Sequence, residues 1–200
     1  MTMKKFLTIL ILLPLLMSCK QEDTLLAERD KIEKYLTESL KLINENEVNG
    51  VDEYPAFYSI FGRYAYRYIV NYYDEGREDK PVVEWGDDVQ IRFTAYIFTG
   101  SKPEDSGIYW SNIPEVIDEL GDHGDTIAGN TLDWPKEPLT IRLGTTKILA
   151  GLEYTLPGCR ENDEVQIYMT SGLAYGENQI GVVPKESMVA WYIKIEKITK

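Results

Sequence analysis

One histidine, His123 in the stretch GDHGD, and two cysteines, Cys19 and Cys159, are all the imidazole and thiol that this 200-residue chain offers to catalysis. So few, so far apart, they form neither a zinc-ligand spacing nor a Cys-His nucleophile. The chain has no GxSxG turn and no glycine-rich phosphate cradle. Its acidic clusters at Asp87-Asp88 and from Asp118 to Asp125 lack calcium-loop spacing and read as turns and solvated faces. Cys159 precedes Arg160, a neighbour able to lower a thiol pKa, but it fits better as a small buried hydrophobe. What remains is a loop in an odd setting. LAYGENQIGVVPKESMVAW, from Leu173 to Trp191, places Tyr175 in a loop with Gly176, Gly181 and Pro184 that also carries Leu173, Ile180, Val182 and Val183. Loops run over the surface and are normally polar. This one must fold over the core or line a cavity.

The address of the chain is written at its start. MTMKKFLTILILLPLLMSC has Lys4 and Lys5 ahead of an apolar run from Phe6 to Met17 that Pro14 interrupts. The run is short of the ~20 apolar residues of a membrane span and reads as a secretory h-region. Its end, Leu16-Met17-Ser18-Cys19, resembles a bacterial lipobox. The resemblance implies cleavage before Cys19 and lipidation of Cys19; the bland alternative is an ordinary signal peptide with a chance cysteine. A lipidated chain is anchored to a membrane and otherwise soluble. The expected location is the bacterial cell envelope, as an outer-membrane lipoprotein, periplasmic or surface-exposed. Lys20-Gln21-Glu22-Asp23 reads equally as a surface-export tag or a solvated tether.

Charge narrows the partners. Loss of Lys4 and Lys5 leaves 19 basic against 33 acidic residues, a net charge of about −14. That argues against nucleic acid, whose phosphates demand a basic face, and against adsorption to anionic lipid without the anchor. With Cys19 lipidated, Cys159 has no partner for an internal disulfide.

The elements that must position this loop follow from periodicity. Apolar residues at Ile32, Tyr35-Leu36, Leu40 and Ile43 predict a helix over 24–46 that ends near Asn49-Gly50. Its stripe either packs on the domain behind it, the reading preferred, or pairs with a second copy. Alternation predicts five strands. RYAYRYIVNYY sets Tyr64, Tyr66, Tyr68, Val70 and Tyr72 against Arg67 and Asn71, and DVQIRFTAYIF lines up Val89, Ile91, Phe93, Ala95 and Ile97. LTIRL, EVQIYM and MVAWYIKIEKI supply the other three. Each has one apolar face, so the sheet should be antiparallel with one side wet. A single helix interrupts them. TTKILAGLEYTL spaces Ile148, Leu152 and Leu156 by four, with Thr145 or Thr146 as cap and a stop at Pro157-Gly158. The economical packing is a sheet curled round that helix. Between Thr99 and Pro138 lie roughly 40 residues, beyond the ~12–15 of a plain loop. They hold a short helix candidate, 114–120, and Tyr109, Trp110 and Trp134.

From Leu139 to Ile195 these residues carry a resemblance. LGTTKILAGLEYTLPGCRENDEVQIYMTSGLAYGENQIGVVPKESMVAWYIKIEKI resembles the C-terminal half of an FK506-binding-protein (FKBP)-type peptidyl-prolyl isomerase. The shared features are a strand ending in Leu-Gly, an Ile-Leu-x-Gly-Leu-Glu helix start, Ala-Tyr-Gly, a Gly-Val-Val-Pro turn and an alternating last strand. VQIRFTAYIFTG resembles the second core strand, which extends the likeness back to about Val82. The resemblance implies an α+β fold, an antiparallel half-barrel sheet wrapped around one central helix, here with an N-terminal helix added. The expected division is a signal peptide over 1–18 and a tether with amphipathic helix over 19–50. An N-terminal strand region over 51–81 should pack on the FKBP-like domain over 82–200, which carries a long insertion at 99–138.

By matching position, the resemblance places Tyr175 with its hydroxyl toward a substrate carbonyl. Ile148 and Leu149 open the helix at the pocket edge, and Leu152 forms a floor where the family often has tryptophan. Val182 and Val183 are expected as a flap wall, and Phe93, Tyr109, Leu139 and Trp191 as the remaining walls. The implied partners are proline-containing peptides or unfolded proteins, with no cofactor or metal. The chain also departs from the pattern. Active members carry a tyrosine in the second strand and an aromatic-Asp pair after it; here those places are held by Phe93 and by Tyr109-Trp110. YWSNI favours this alignment over one that puts Leu132-Asp133 at the pair. Catalytic positions are thus Tyr175, Phe93 and Trp110, and activity is expected to be weak. A non-catalytic binding module is the alternative; sugar binding on tyrosine and tryptophan platforms is a third idea.

Overall fold

The computed structural model describes residues 22–48, 54–122 and 134–200; Cys19, His123 and the Leu132-Asp133 alternative lie outside them. Among the described residues eight strands form one sheet. They are β1 (Ile43–Asn44), β2 (Phe57–Phe61), β3 (Ala65–Ile69), β4 (Asp88–Ile97), β5 (Ile108–Ser111), β6 (Leu139–Arg142), β7 (Glu164–Met169) and β8 (Val189–Thr199). The order is β1-β2-β3-β7-β8-β4-β5, and β6 pairs with the first half of β4. Every pairing is antiparallel except the short β1–β2 contact. Among the described residues three α-helices accompany the sheet: α1 over 22–34, α2 (Pro114–Asp122) and α3 (Ala150–Thr155). None among the described residues is long and apolar enough to cross a membrane.

The period-two pattern places one core where the sequence put it. Val89, Ile91, Phe93 and Ala95 of β4, Val165 and Ile167 of β7, and Trp191, Ile193 and Ile195 of β8 pack on Leu152 of α3 and on Leu156, its C-cap. Gly151 sets how closely the helix lies. A Cβ there would stand 2.7 Å from the Met169 sulfur, so a larger residue at this position would force Met169 to move.

The other face of the sheet is not wet, which corrects the expectation. Ile32, Tyr35 and Leu36, with Leu42 beyond them, pack on Tyr58, Tyr66, Phe98, Tyr168 and Ala190 as a second core. The large outward-facing tyrosines give α1 a floor, and Tyr66 donates to the Glu33 carboxylate at 2.9 Å. The alternation of β3 therefore points the opposite way from its polarity. Its tyrosines Tyr66 and Tyr68 face α1, whereas Arg67 faces α3 along with Ala65 and Ile69.

Both long helix expectations shorten. The first helix widens into a π-helical turn over Tyr35–Ser39, where the Leu40 N–H reaches the Tyr35 carbonyl. Lys41 then adopts a positive φ of 58°. The chain reverses, the Leu42 N–H bonds to the Leu36 carbonyl at 3.0 Å, and Ile43 enters β1 rather than a helix. The central helix begins only at Ala150. Leu149 is extended and supplies no side-chain cap, while the Thr146 hydroxyl is drawn back to accept from the Arg142 N–H at 2.9 Å. Local turn bonds outcompete the cap that the spacing suggested.

Residues 99–138 hold more than a loop. They contain β5, which extends the sheet beside β4, and α2, which buries Ile117 and Leu120. Asn112 ties this excursion down. Its Oδ1 accepts from the Phe93 N–H at 2.7 Å, and its Nδ2 donates to the carbonyls of Ile91 and Glu137. Arg92 adds donations to the Asn112 and Lys136 carbonyls.

Candidate functional site

At the N-terminal end of α3 the sheet and helix leave a cavity of about 400 Å³. Its walls come from Trp110 of β5, Leu139 and Ile141 of β6, Ile148, Leu149 and Leu152 at the helix start, Tyr175 and Trp191. Leu152 sits at its inner end, 1% exposed. The lining is mostly apolar, with Thr146, Lys147 and Tyr175 as its polar members.

Three rings set the shape of one wall. Phe93 lies under Trp191 with ring centres 4.4 Å apart and planes 21° from parallel. Trp110 stands edge-on to both, 4.7 Å from Phe93 and 5.7 Å from Trp191. Ala95 pairs with Trp110 across β4–β5, which brings the Trp110 ring over Phe93. Phe93 is fully buried and supports the wall without lining the cavity.

The polar content is a short chain of donors. Trp191 Nε1 donates to the Tyr109 hydroxyl at 2.8 Å, and the Tyr175 hydroxyl approaches the same oxygen at 3.4 Å. Burial pushes the Tyr109 hydroxyl well above its ordinary pKa, with Tyr175 adding to the effect, and burial raises Tyr175 as well. Both stay protonated at neutral pH and offer O–H donors rather than oxyanions. Tyr109 reaches this place from β5, whose strand character was missed because only four residues carry it; it stands behind Trp191 and Tyr175 rather than forming the wall expected of it.

Tyr175 is held from behind. The turn at Ser171–Leu173 that leads into it is pinned by Glu28 of α1, whose carboxylate accepts from the Ser171 N–H at 2.8 Å and hydroxyl at 2.9 Å. Desolvation raises the Glu28 pKa in spite of these bonds. The Glu186 N–H then closes the loop on the Gly176 carbonyl.

The flap valines do not form the expected wall. Ile180 and Val183 exchange backbone hydrogen bonds at 3.1 and 2.9 Å through a tight turn in which Gly181 has φ 55°. Val182 is thereby thrown to the tip, 37% exposed, while Val183 is buried in the core; neither lines the cavity. Ile141, Thr146 and Lys147 line it and were not singled out beforehand. The alternation of LTIRL marked Ile141 as inward-facing, whereas nothing in the sequence flags Thr146 or Lys147. Cys159 is far from this chemistry, fully buried, with burial holding its thiol at about 11.

A sheet packed on a central helix, with a largely apolar, aromatic-walled pocket at the helix start, defines a class that comparison makes specific. The family model for FKBP-type peptidyl-prolyl cis-trans isomerase matches residues 80–196. The chain belongs to that family. No curated protein matches it. Among solved structures it is similar to the three FKBP domains of wheat FKBP73, at 11% identity and a TM-score of 0.49 over 72% of this chain and 51% of that one. It is also similar to AtFKBP13, at 15% identity and a TM-score of 0.46 over 71% and 98% of the two chains. The chain thus spans about half of the wheat structure.

Proposed function

We propose that the pocket takes an X-Pro segment and turns its peptide bond slowly, as a folding helper anchored at the bacterial cell envelope. The observation that carries this reading is the apolar cavity with the Tyr175 hydroxyl in its wall. Resonance holds a peptide bond planar against a barrier of ~18–20 kcal/mol, and at X-Pro the two isomers interconvert over tens to hundreds of seconds unaided. The planar amide is more charge-separated than the twisted one. A site without water therefore favours the twisted form relative to the ground state, and a donor fixed on the carbonyl orients it. Trp191, Trp110 and Ile148 would grip the proline ring, while Tyr175 would donate to the carbonyl. Neither metal nor covalent intermediate enters this scheme.

The same walls argue for a low rate. Phe93 and Trp110 meet ring against ring at the positions where the resemblance expects a hydroxyl and a carboxylate. Losing both partners of a buried hydrogen bond is nearly neutral for folding, so the pocket persists without that polar pair. This favours a second reading, a pocket that binds proline-containing or unfolded chains without catalysing exchange. NMR exchange spectroscopy on an X-Pro peptide separates the two. Exchange above background that falls in Tyr175→Phe supports slow catalysis; binding without exchange leaves the binding module. Exchange as fast as in strong isomerases contradicts the weakened site, and no binding at all removes both readings. The anchor is tested separately: Cys19→Ala should accumulate unlipidated precursor, and unchanged processing and membrane association would refute it.

A further inference from the structure

The C-terminal end of α3 faces a second cavity, of about 190 Å³, on the same face of the sheet and independent of the isomerase reading. Its walls include Phe57, Ser59, Arg67, Ile69 and Tyr72, with Gly158 just past the helix and Glu45 at the exposed rim. Three guanidiniums border it, and two of them are matched. Arg77 grips Asp163 with two parallel bonds of 2.7 and 2.8 Å, and Arg160 Nη2 meets the Glu78 carboxylate at 2.6 Å.

Arg67 is different. Among the described residues its hydrogen bonds all run through Nη1, to the carbonyls of Thr155 and Pro157 at 2.7 and 2.8 Å and to the Cys159 sulfur at 3.5 Å. That single nitrogen discharges the helix-capping role. Phe61 covers the guanidinium 4.7 Å from its ring centre. Nε is buried without any hydrogen-bond partner, and no carboxylate among the described residues pairs with Arg67. The unused Nε–Nη2 edge is the side of a guanidinium that receives two parallel oxygens. A buried donor left unmade is costly, and a cap alone would not require an arginine.

We propose that this cavity binds a monoanionic carboxylate carried on an apolar group, held by the Nε–Nη2 edge of Arg67 with its apolar part against Phe57, Ile69 and Tyr72. Two sources share this chemistry, the carboxylate at the end of a peptide chain and a small free acid. The carboxylates of Glu45 and Glu78 disfavour a dianion such as phosphate. The two ends of α3 then hold two different ligands, an amide at one and a carboxylate at the other.

The test is a titration followed on the Arg67 Nε–H resonance of the ¹⁵N-labelled protein. Butyrate should shift it saturably, whereas butyramide should not. A short peptide ending in free Leu that binds more tightly than butyrate identifies a chain end as the source, provided the amidated peptide is inert; a peptide weaker than butyrate identifies a free acid. Arg67→Lys keeps a positive charge for the cap but loses the fork, and should weaken butyrate binding about tenfold or more. Glu45→Gln, an exposed change that leaves the fold alone, should tighten it about two- to fivefold at low salt. An Nε–H that does not respond to butyrate, or responds equally to butyramide or phosphate, overturns the proposal. So does an affinity indifferent to both substitutions.

Discussion

The two ends of the central helix solve opposite problems with opposite chemistry. At the C-terminal end, carbonyls without intrahelical partners need donors, and the fold brings Arg67, Arg77 and Arg160 together there with Asp163 and Glu78. At the N-terminal end Leu149 provides no cap, and the neighbours are Trp110, Trp191, Leu139 and Ile148. Charge at one end is spent on holding the domain together. At the other the lining is mostly aromatic and aliphatic, with Lys147 at an exposed position, which suits the neutral amide of the proposed substrate. On the proposed reading, stability and activity are separable here, and substitutions should show it.

The largest effect belongs to the charged end. Asp163 is fully buried and accepts from Arg77 twice and from the Arg160 N–H at 2.7 Å. Asp163→Ala strands a buried guanidinium and should cost about 3–5 kcal/mol in urea unfolding at pH 7. A loss below about 1 kcal/mol would mean that this end is not the structural one.

At the aromatic end a smaller loss is expected from Tyr109→Phe. The Trp191 Nε1–H would lose its acceptor inside the core, at about 1–3 kcal/mol, and Tyr175 would lose its neighbour. Equal stability of the variant would show that another acceptor serves Trp191.

The contact of Phe93 with Trp110 gives a third test. Trp110→Asp alone places a carboxylate against apolar rings, where it costs stability or takes up a proton. Adding Phe93→Tyr returns a hydroxyl partner. A double-mutant cycle should show favourable coupling of about 0.5–3 kcal/mol together with faster X-Pro exchange. Strict additivity would break the assignment of Trp110 to the acid's place.

The smallest effect is the pH dependence from Glu28, which binds the turn before Tyr175. Burial raises its folded-state pKa above the ordinary 4.5, with Glu186 pushing the same way and Lys31 opposing. The folded state therefore holds the proton more tightly than the unfolded one. Glu28 contributes stability that is full below about pH 4.5 and is lost as pH rises through the raised value. Glu28→Gln should flatten that part of the stability curve. A curve of unchanged shape would assign the slope to other carboxylates.

How much of this was legible depends on how local the signal is. The inward faces of β4, β7 and β8 could be read from alternation because the period of two is a property of each strand alone. The sheet's second core could not. Tyr66 and Tyr168 read equally as exposed strand formers or as buried rings, and only α1 lying across them decides. Arg67 was misplaced for the same reason: a charged residue on β3 looks solvent-facing until the α3 carbonyls are known to need it. Tyr175, Ile148, Leu149, Leu152, Leu139, Trp110 and Trp191 come together at the cavity by motif position, whereas Val182 does not, because its tight turn depends on backbone bonds rather than on side-chain type. The Trp191–Tyr109 hydrogen bond joins residues 82 apart in sequence, and no spacing announces it.

The most direct test of the division between the two ends is where a proline sits. Intermolecular nuclear Overhauser effects between an X-Pro peptide and the protein can be read from the proline ring protons. The account predicts contacts to the Trp191 indole and the Ile148 methyls at the N-terminal end of α3, and none to Phe57 or Tyr72 at the other. Proline contacts confined to Phe57 and Tyr72, or absent from Trp191 and Ile148 in a peptide that binds, would contradict it.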